Sequence, residues 1–82
     1  MGMQVIQPYA TPTNVDLDTL TGICTTYASG NATNTPGSGA WFVLTARPDN
    51  YGVQVAFPVS NTQTAYYMRY ANANGWKAWQ QA

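Results

Sequence analysis

The sequence predicts a small all-β domain, an antiparallel meander of four or five strands joined by long loops. Short segments rich in β-branched and aromatic residues alternate with segments rich in Gly, Asn, Ser and Pro, as strands alternate with turns and loops. No segment indicates a helix beyond one tight turn. The 82 residues have room for one such domain, whose hydrophobic core is only just large enough to keep it folded.

The N-terminal part divides into a lead-in and a turn. Residues 1–13 contain two prolines in a polar, β-compatible stretch, which predicts an extended lead-in, and residues 14–82 form the single domain. Because the chain starts Met-Gly-Met, we expect the lead-in to connect to further sequence upstream. The segment Asn14–Leu20 has two leucines spaced for one helical turn and two aspartates that can bond to nearby backbone amides. It predicts a short turn held by those leucines.

Three strands are predicted in the middle of the chain. They cover Gly22–Ala28, Trp41–Ala46 and Tyr51–Pro58, which are rich in apolar and β-branched residues. The segment Ser29–Gly39 contains almost nothing that could be buried and predicts a long exposed loop, whereas Arg47–Asn50 predicts a hairpin turn. The second and third strands therefore form the clearest hairpin. We expect the core to include the side chains of Phe42, Leu44, Val53, Val55, Phe57 and Met68.

The C-terminal stretch Tyr66–Trp79 predicts a further hairpin, with its turn at Asn72–Gly75. Residues Ser60–Gln63 are predicted to form the turn that leads into it. Because side chains on a strand alternate with period two, Trp76 and Trp79 point to opposite faces unless a bulge intervenes. A monomer of this size can bury one face of its sheet, so the other aromatic face needs a partner.

Composition excludes several classes of partner. Charged residues make up 7% of the chain and the formal net charge is zero, so no basic surface for nucleic acid or anionic membrane is expected. No apolar run approaches the length of a membrane span, and Met1–Gln7 lacks the features of a signal peptide. We expect a soluble protein without nucleic-acid binding or membrane insertion.

Catalytic and metal chemistry find little support. The chain has no histidine, which excludes a Ser/His/Asp or Cys/His nucleophile. Asp16 and Asp18 are more typical of backbone capping than of an acid–base pair or a calcium loop, and Cys24 is expected to be a small buried apolar residue. We predict a protein that is not an enzyme and that has no metal and no cofactor.

The order of motifs along the chain resembles a known family. A DLDTL turn, a strand after Gly22, the loop NATNTPGSG, a Trp-led apolar strand and the ending YMRY…GWKAWQ together resemble the knob-type domains of phage tail fibres and of R-type pyocin tail fibres. The resemblance runs from about Asp16 to Gln80. It implies a β module of a homotrimeric fibre, made in the bacterial cytoplasm, whose fibre attaches to a glycan or protein on the bacterial surface. The short connection Leu20–Ile23 departs from the usual pattern and leaves the start of the first strand less defined.

Candidate contact residues follow from aromatic and polar side chains together. Rings can stack on a sugar while Asn, Gln and Arg bond its hydroxyls, and loops can vary without disturbing a rigid sheet. Any receptor contact is therefore predicted on the loops Ser29–Gly39 and Asn72–Gly75 and on neighbouring strand residues. For Arg69, pairing with Asp16 or Asp18, or stacking on a tryptophan, is favoured over ligand contact. The candidates for receptor or glycan contact are Asn31, Asn34, Tyr67, Arg69, Asn72, Asn74 and Trp79.

Two other functions fit the same residues. The chain could be a free-standing carbohydrate-binding module, or a fibre spacer that touches no receptor. A trimer in solution favours the fibre, and a monomer that binds glycans favours the module. If the alternation argument holds, Trp76 and Trp79 belong to different surfaces, one in the core and one between copies of the chain. Their alanine variants should then fail differently.

Overall fold

The computed structural model describes residues 15–59 and 65–82. The predicted lead-in and the predicted turn at Ser60–Gln63 lie outside these residues. The elements in chain order are a 3-10 helix at Leu17–Thr19 and strands β1 Gly22–Ala28, β2 Trp41–Arg47, β3 Gly52–Pro58, β4 Tyr67–Asn72, β5 Gly75–Trp76 and β6 Gln80–Gln81.

The strands form one antiparallel sheet in which chain order and spatial order agree. Strands β1 to β4 follow one another as neighbours, and both β5 and β6 pair with the outer side of β4. The prediction of an all-β antiparallel meander is confirmed. Strand β1 has the predicted bounds, and β2 and β3 each differ from the predicted bounds by one residue.

A bulge divides the last strand into β5 and β6. Ala71 is opposite Trp76, whereas Met68 is opposite Gln80, so three residues at 77–79 face two residues of β4. The amide of Lys77 donates to the carbonyl of Tyr70 at 2.8 Å and starts the bulge. The extra residue reverses the alternation, so both tryptophans of this strand lie on the same face of the sheet.

One face of the sheet is covered by the chain itself, and we call it the covered face. Leu17 of the 3-10 helix is fully buried against it, together with Ala28, Trp41, Val43 and Ala56. The loop between β1 and β2 closes over the same face, since the Trp41 indole donates to the Gly37 carbonyl at 3.2 Å. Leu20 packs against this core as well, which confirms the predicted turn. Cys24 is buried here, as predicted.

The opposite face, which we call the open face, has no cover from the described residues. Here the predicted core is wrong. Phe42, Leu44 and Phe57 are exposed on this face, and Val53, Val55 and Met68 are only half-buried. The polar residues Thr45, Gln54 and Arg69 are buried on the covered face instead. The buried strand side chains are those on the face that the 3-10 helix and the loop cover, whether or not they are apolar.

Candidate functional site

Two arginines and two tryptophans meet on the covered face. The guanidinium carbon of Arg69 lies 4.6 Å from the ring centres of both Trp76 and Trp79, and that of Arg47 lies 5.1 Å from the ring centre of Trp76. We call these four residues the arginine–tryptophan stack. Each contact is within the range at which a cation is attracted to an aromatic ring. The bulge at 77–79 makes this arrangement possible because it turns Trp79 to the side of Trp76.

Arg47 reaches the stack across small residues. The register places Gly52 and Ala71 in neighbouring strands between Arg47 and Trp76. A Cβ atom at Gly52 would lie 2.6 Å from the Arg47 Cβ and 2.5 Å from the Ala46 carbonyl oxygen, which is closer than real Cβ contacts. The missing side chain at Gly52 therefore makes room for Arg47. The Arg47 guanidinium then donates to the Asn72 carbonyl through Nη2 at 3.3 Å.

Arg69 is held by a buried polar chain. Its Nε donates to the Gln54 side-chain oxygen at 2.8 Å, while Gln54 Nε2 donates to the Leu17 carbonyl at 2.9 Å and to the Thr45 hydroxyl at 3.1 Å. Arg69 Nη2 lies 2.9 Å from the Asp18 carboxylate, an ion pair without hydrogen-bond alignment. The predicted pairing with Asp18 and stacking on tryptophan are both present. Burial lowers the pKa of Arg69 and the charge of Asp18 opposes this, but the guanidinium stays protonated.

The 3-10 helix and the long loop are tied to the same stack. Asp16 accepts from the Asp18 amide at 2.9 Å, which confirms the predicted capping, and from Asn34 Nδ2 at 2.7 Å. The bond from Asn34 and then the bond from the Asp18 amide lower the pKa of Asp16. The indole of Trp76 donates to the Asp18 carbonyl at 3.3 Å, and the indole of Trp79 donates to the Asn34 carbonyl at 2.8 Å.

This network joins the 3-10 helix, the long loop and the sheet through side chains whose polar groups are mostly engaged within the chain. Four of the six charged residues of the chain, Asp16, Asp18, Arg47 and Arg69, belong to it. The indole N–H groups of Trp76 and Trp79 are bonded to backbone carbonyls, and both rings lie against guanidinium groups. In the described part of the chain, no three His, Cys, Asp or Glu side chains gather as metal ligands would.

The predicted contact residues do not form one site. Asn34, Tyr67, Arg69 and Trp79 gather on the covered face, where the Tyr67 ring meets the Trp41 ring edge-on at 5.7 Å. Asn31 lies exposed in the loop between β1 and β2. The remaining two are at the other end of the strands. Asn72 is the last residue of β4 and Asn74 lies in the turn that follows, where its amide donates to the Asn72 side chain at 2.8 Å.

The open face carries two different surfaces. The half of the face near the end of β1 carries an aromatic row of Tyr27, Phe42, Phe57 and Tyr66. The ring centres of Tyr27 and Phe42 lie 5.8 Å apart, and those of Phe57 and Tyr66 lie 5.3 Å apart. The other half of the face is a shallow apolar depression of about 380 Å³ beside the aromatic row. The open-face side chains that line this depression are Ile23, Thr25, Leu44, Ala46, Val53 and Val55. No charged residue is among the side chains that form either half.

Sequence reasoning missed the role of Arg47, and it missed which residues lie on the uncovered face of the sheet. The sequence predicts Arg47 in the turn Arg47–Asn50, whereas in the structure it is the last residue of β2. A signal for the open face was present in β2, where the run WFVL is apolar at every position. Such a run is typical of a strand that is buried on both sides.

Comparisons of the chain with protein-family models, with curated proteins and with solved structures gave no match. Within residues 15–59 and 65–82, none of the helical structure has the length and apolar character needed to cross a membrane.

Proposed function

We propose that this chain is a structural and host-recognition module of a phage or pyocin-like tail fibre. In this proposal three copies assemble through their open faces, and the loops at the ends of the sheet contact a glycan or protein of the bacterial surface. The particle that carries the fibre is a virion or a pyocin-like particle. The resemblance of the DLDTL, NATNTPGSG and YMRY…GWKAWQ motifs to tail-fibre knob domains supports the proposal.

The observation that carries the proposal is the open apolar face. Six large side chains on it are between 40% and 59% exposed, namely Ile23, Phe42, Leu44, Phe57, Tyr66 and Tyr70. A contiguous apolar surface of this kind on a small domain indicates a partner. A module built into an oligomeric fibre supplies that partner at every copy.

A free-standing carbohydrate-binding module is less well supported. Sugar recognition needs exposed rings together with polar groups that bond hydroxyls. Trp76 and Trp79 are engaged with Arg69, and the exposed rings of Phe42 and Phe57 lie among apolar neighbours. A fibre spacer would assemble in the same way as the proposed module, but its loops would contact no receptor.

Adsorption to bacterial cells tests the host-recognition part. Fluorescently labelled protein is mixed with a panel of bacterial strains, and Asn31→Ala and Asn74→Ala are compared with the unchanged chain on any strain that binds it. Asn50→Ala, in the turn between β2 and β3, is the matched control because Asn50 is an exposed turn asparagine outside the predicted contact set. We expect the two contact variants to adsorb less and the control to adsorb normally.

Adsorption to none of the strains would indicate a spacer, whereas adsorption that is unchanged in both contact variants would indicate a receptor contact outside these loops. A protein that stays monomeric at high micromolar concentration and binds glycans would favour the carbohydrate-binding module over the fibre. These outcomes are read from cell-bound fluorescence and from the mass in solution, which are independent measurements.

A further inference from the structure

We propose that the open face binds a second copy of this chain, with the aromatic row of one copy seated in the apolar depression of the next. This inference rests on the proposed function for the number of copies, and on the open face itself for the contact. The aromatic row and the depression are those defined above, on opposite halves of one face.

The size of the open face suits such a contact. The exposed fractions of the six side chains add up to about three fully exposed side chains. At about 200 Å² for each large side chain, this is an exposed area of roughly 600 Å². A standard protein interface buries about 800 Å² on each partner. The half-buried Val53, Val55 and Met68 on the same face supply part of the difference. Pairing of two open faces therefore approaches the area of a stable interface.

The chemistry of the open face favours a second copy over a different protein. A surface that carries charge selects partners of opposite charge, whereas this face has none to match. Its aromatic row lies beside its own depression, so one face contains both the bulky rings and the recess that the contact brings together. Each copy thus offers both surfaces that the contact requires.

Closed symmetry is compatible with this contact in two ways. The aromatic row runs across the strands, at right angles to their direction. A two-fold axis parallel to the row brings the aromatic half of each copy over the depression of the other. A three-fold axis in the same direction brings the aromatic half of each copy against the depression of the next. Both arrangements keep each strand level with its counterpart, so Phe57 of one copy approaches Val53 of another.

Charge substitution on β3 tests the contact. Phe57→Glu places a carboxylate in the aromatic row, and Val53→Lys places an ammonium in the depression. Within one chain these positions are four residues apart, roughly 13 Å along a strand, which is beyond the screening length of about 8 Å at physiological salt. Each single variant should weaken self-association at least about a hundredfold, because it buries an unpaired charge. The double variant should regain most of it, because the two charges meet between copies.

The measurement is analytical ultracentrifugation of the full chain over a concentration series, with circular dichroism to establish folding. Gln81→Ser is the control, since Gln81 is exposed in β6 and lies opposite Tyr67, whose side chain is on the covered face. Ile23→Ser is a second disrupting variant on the exposed edge strand β1, and it keeps the test valid if a β3 variant fails to fold. We expect the control to associate as the unchanged chain does and Ile23→Ser to associate more weakly.

Self-association that persists in Phe57→Glu and Ile23→Ser would overturn the inference, and so would a double variant that stays as dissociated as the single ones. A folded unchanged chain that remains monomeric would overturn it too, and would indicate a different protein or another part of the same chain as the occupant of the open face. An assembly of two copies supports the contact but contradicts the three-fold fibre. Adsorption that stays unchanged in Asn31→Ala and Asn74→Ala, in a chain that still assembles, contradicts the loop contact of host recognition alone.

Discussion

Replacing Gln54 by leucine tests whether the buried polar chain holds the 3-10 helix and Arg69 in place. Gln54 is completely buried and makes three hydrogen bonds, to the Leu17 carbonyl, the Thr45 hydroxyl and Arg69 Nε. Leucine has a similar size but can make none of them. The substitution leaves a buried charged donor without its acceptor.

The expected loss of stability follows from those three bonds. A hydrogen bond to a charged group contributes about 1.5–3 kcal/mol and a neutral one about 1 kcal/mol. The Thr45 hydroxyl can turn to another acceptor and the added apolar burial offsets part of the loss, so we expect Gln54→Leu to lower the free energy of unfolding by about 3 kcal/mol. A domain of this length is stable by roughly 4–12 kcal/mol in total. The change should therefore be large.

Urea denaturation followed by tryptophan fluorescence measures it, at one protein concentration for all variants because assembly changes apparent stability. With a denaturant slope of about 1–1.5 kcal/mol/M, the midpoint should fall by about 2–3 M. Gln80→Leu is the matched control, since Gln80 is exposed in β6. The double variant Gln54→Leu with Arg69→Met should be less destabilised than the sum of the single ones, because it removes both partners. A loss below about 1 kcal/mol, or no coupling between the two sites, would refute the reasoning.

Three further predictions concern the covered face. Gly52→Ala should cost about 1–3 kcal/mol of unfolding free energy, because its Cβ would overlap Arg47 and the Ala46 carbonyl, whereas Gly30→Ala, with open space around it, should cost almost nothing in the same urea assay. Asp16→Asn should remove part of the loss of stability in acid, because the pKa of Asp16 is lowered in the folded chain. The contribution of Asp16 to folding stability is complete above the unfolded pKa of about 3.9 and disappears as the pH falls through the folded value. Urea midpoints measured between pH 6 and pH 2 would show a flatter curve for the variant. Trp79→Ala should lower the free energy of unfolding by about 3 kcal/mol, more than Trp76→Ala does, since Trp79 packs against the core. Neither variant should change the mass of the assembly, because both rings lie on the covered face. Dissociation of either folded variant in sedimentation would contradict this.

The structure predicts a different outcome for Trp76→Ala and Trp79→Ala than the sequence does. Strict alternation assigns Trp76 and Trp79 to opposite faces, and hence to different modes of failure. The register instead contains one extra residue at 77–79, which brings both indoles to Arg69. A bulge of this kind depends on pairing with β4, where Lys77 bonds to Tyr70. Nothing in the local spacing of the two tryptophans reveals it.

The sequence by itself determined β1 to β4 and their antiparallel order, because β-branched alternation and the Gly, Asn and Pro positions act locally, but it predicted one returning strand at Trp76–Trp79 where the structure has a bulge between β5 and β6. It also determined the capping by Asp16 and the burial of Cys24. Only the tertiary structure decided which face of the sheet is covered. Alternation defines two faces, but the 3-10 helix at Leu17–Thr19 and the loop before β2 pack on just one of them. Gln54 and Arg69 are buried because they bond to each other there and Asp18 supplies the opposite charge to Arg69, while Phe42 and Phe57 remain exposed because the described chain places nothing over them.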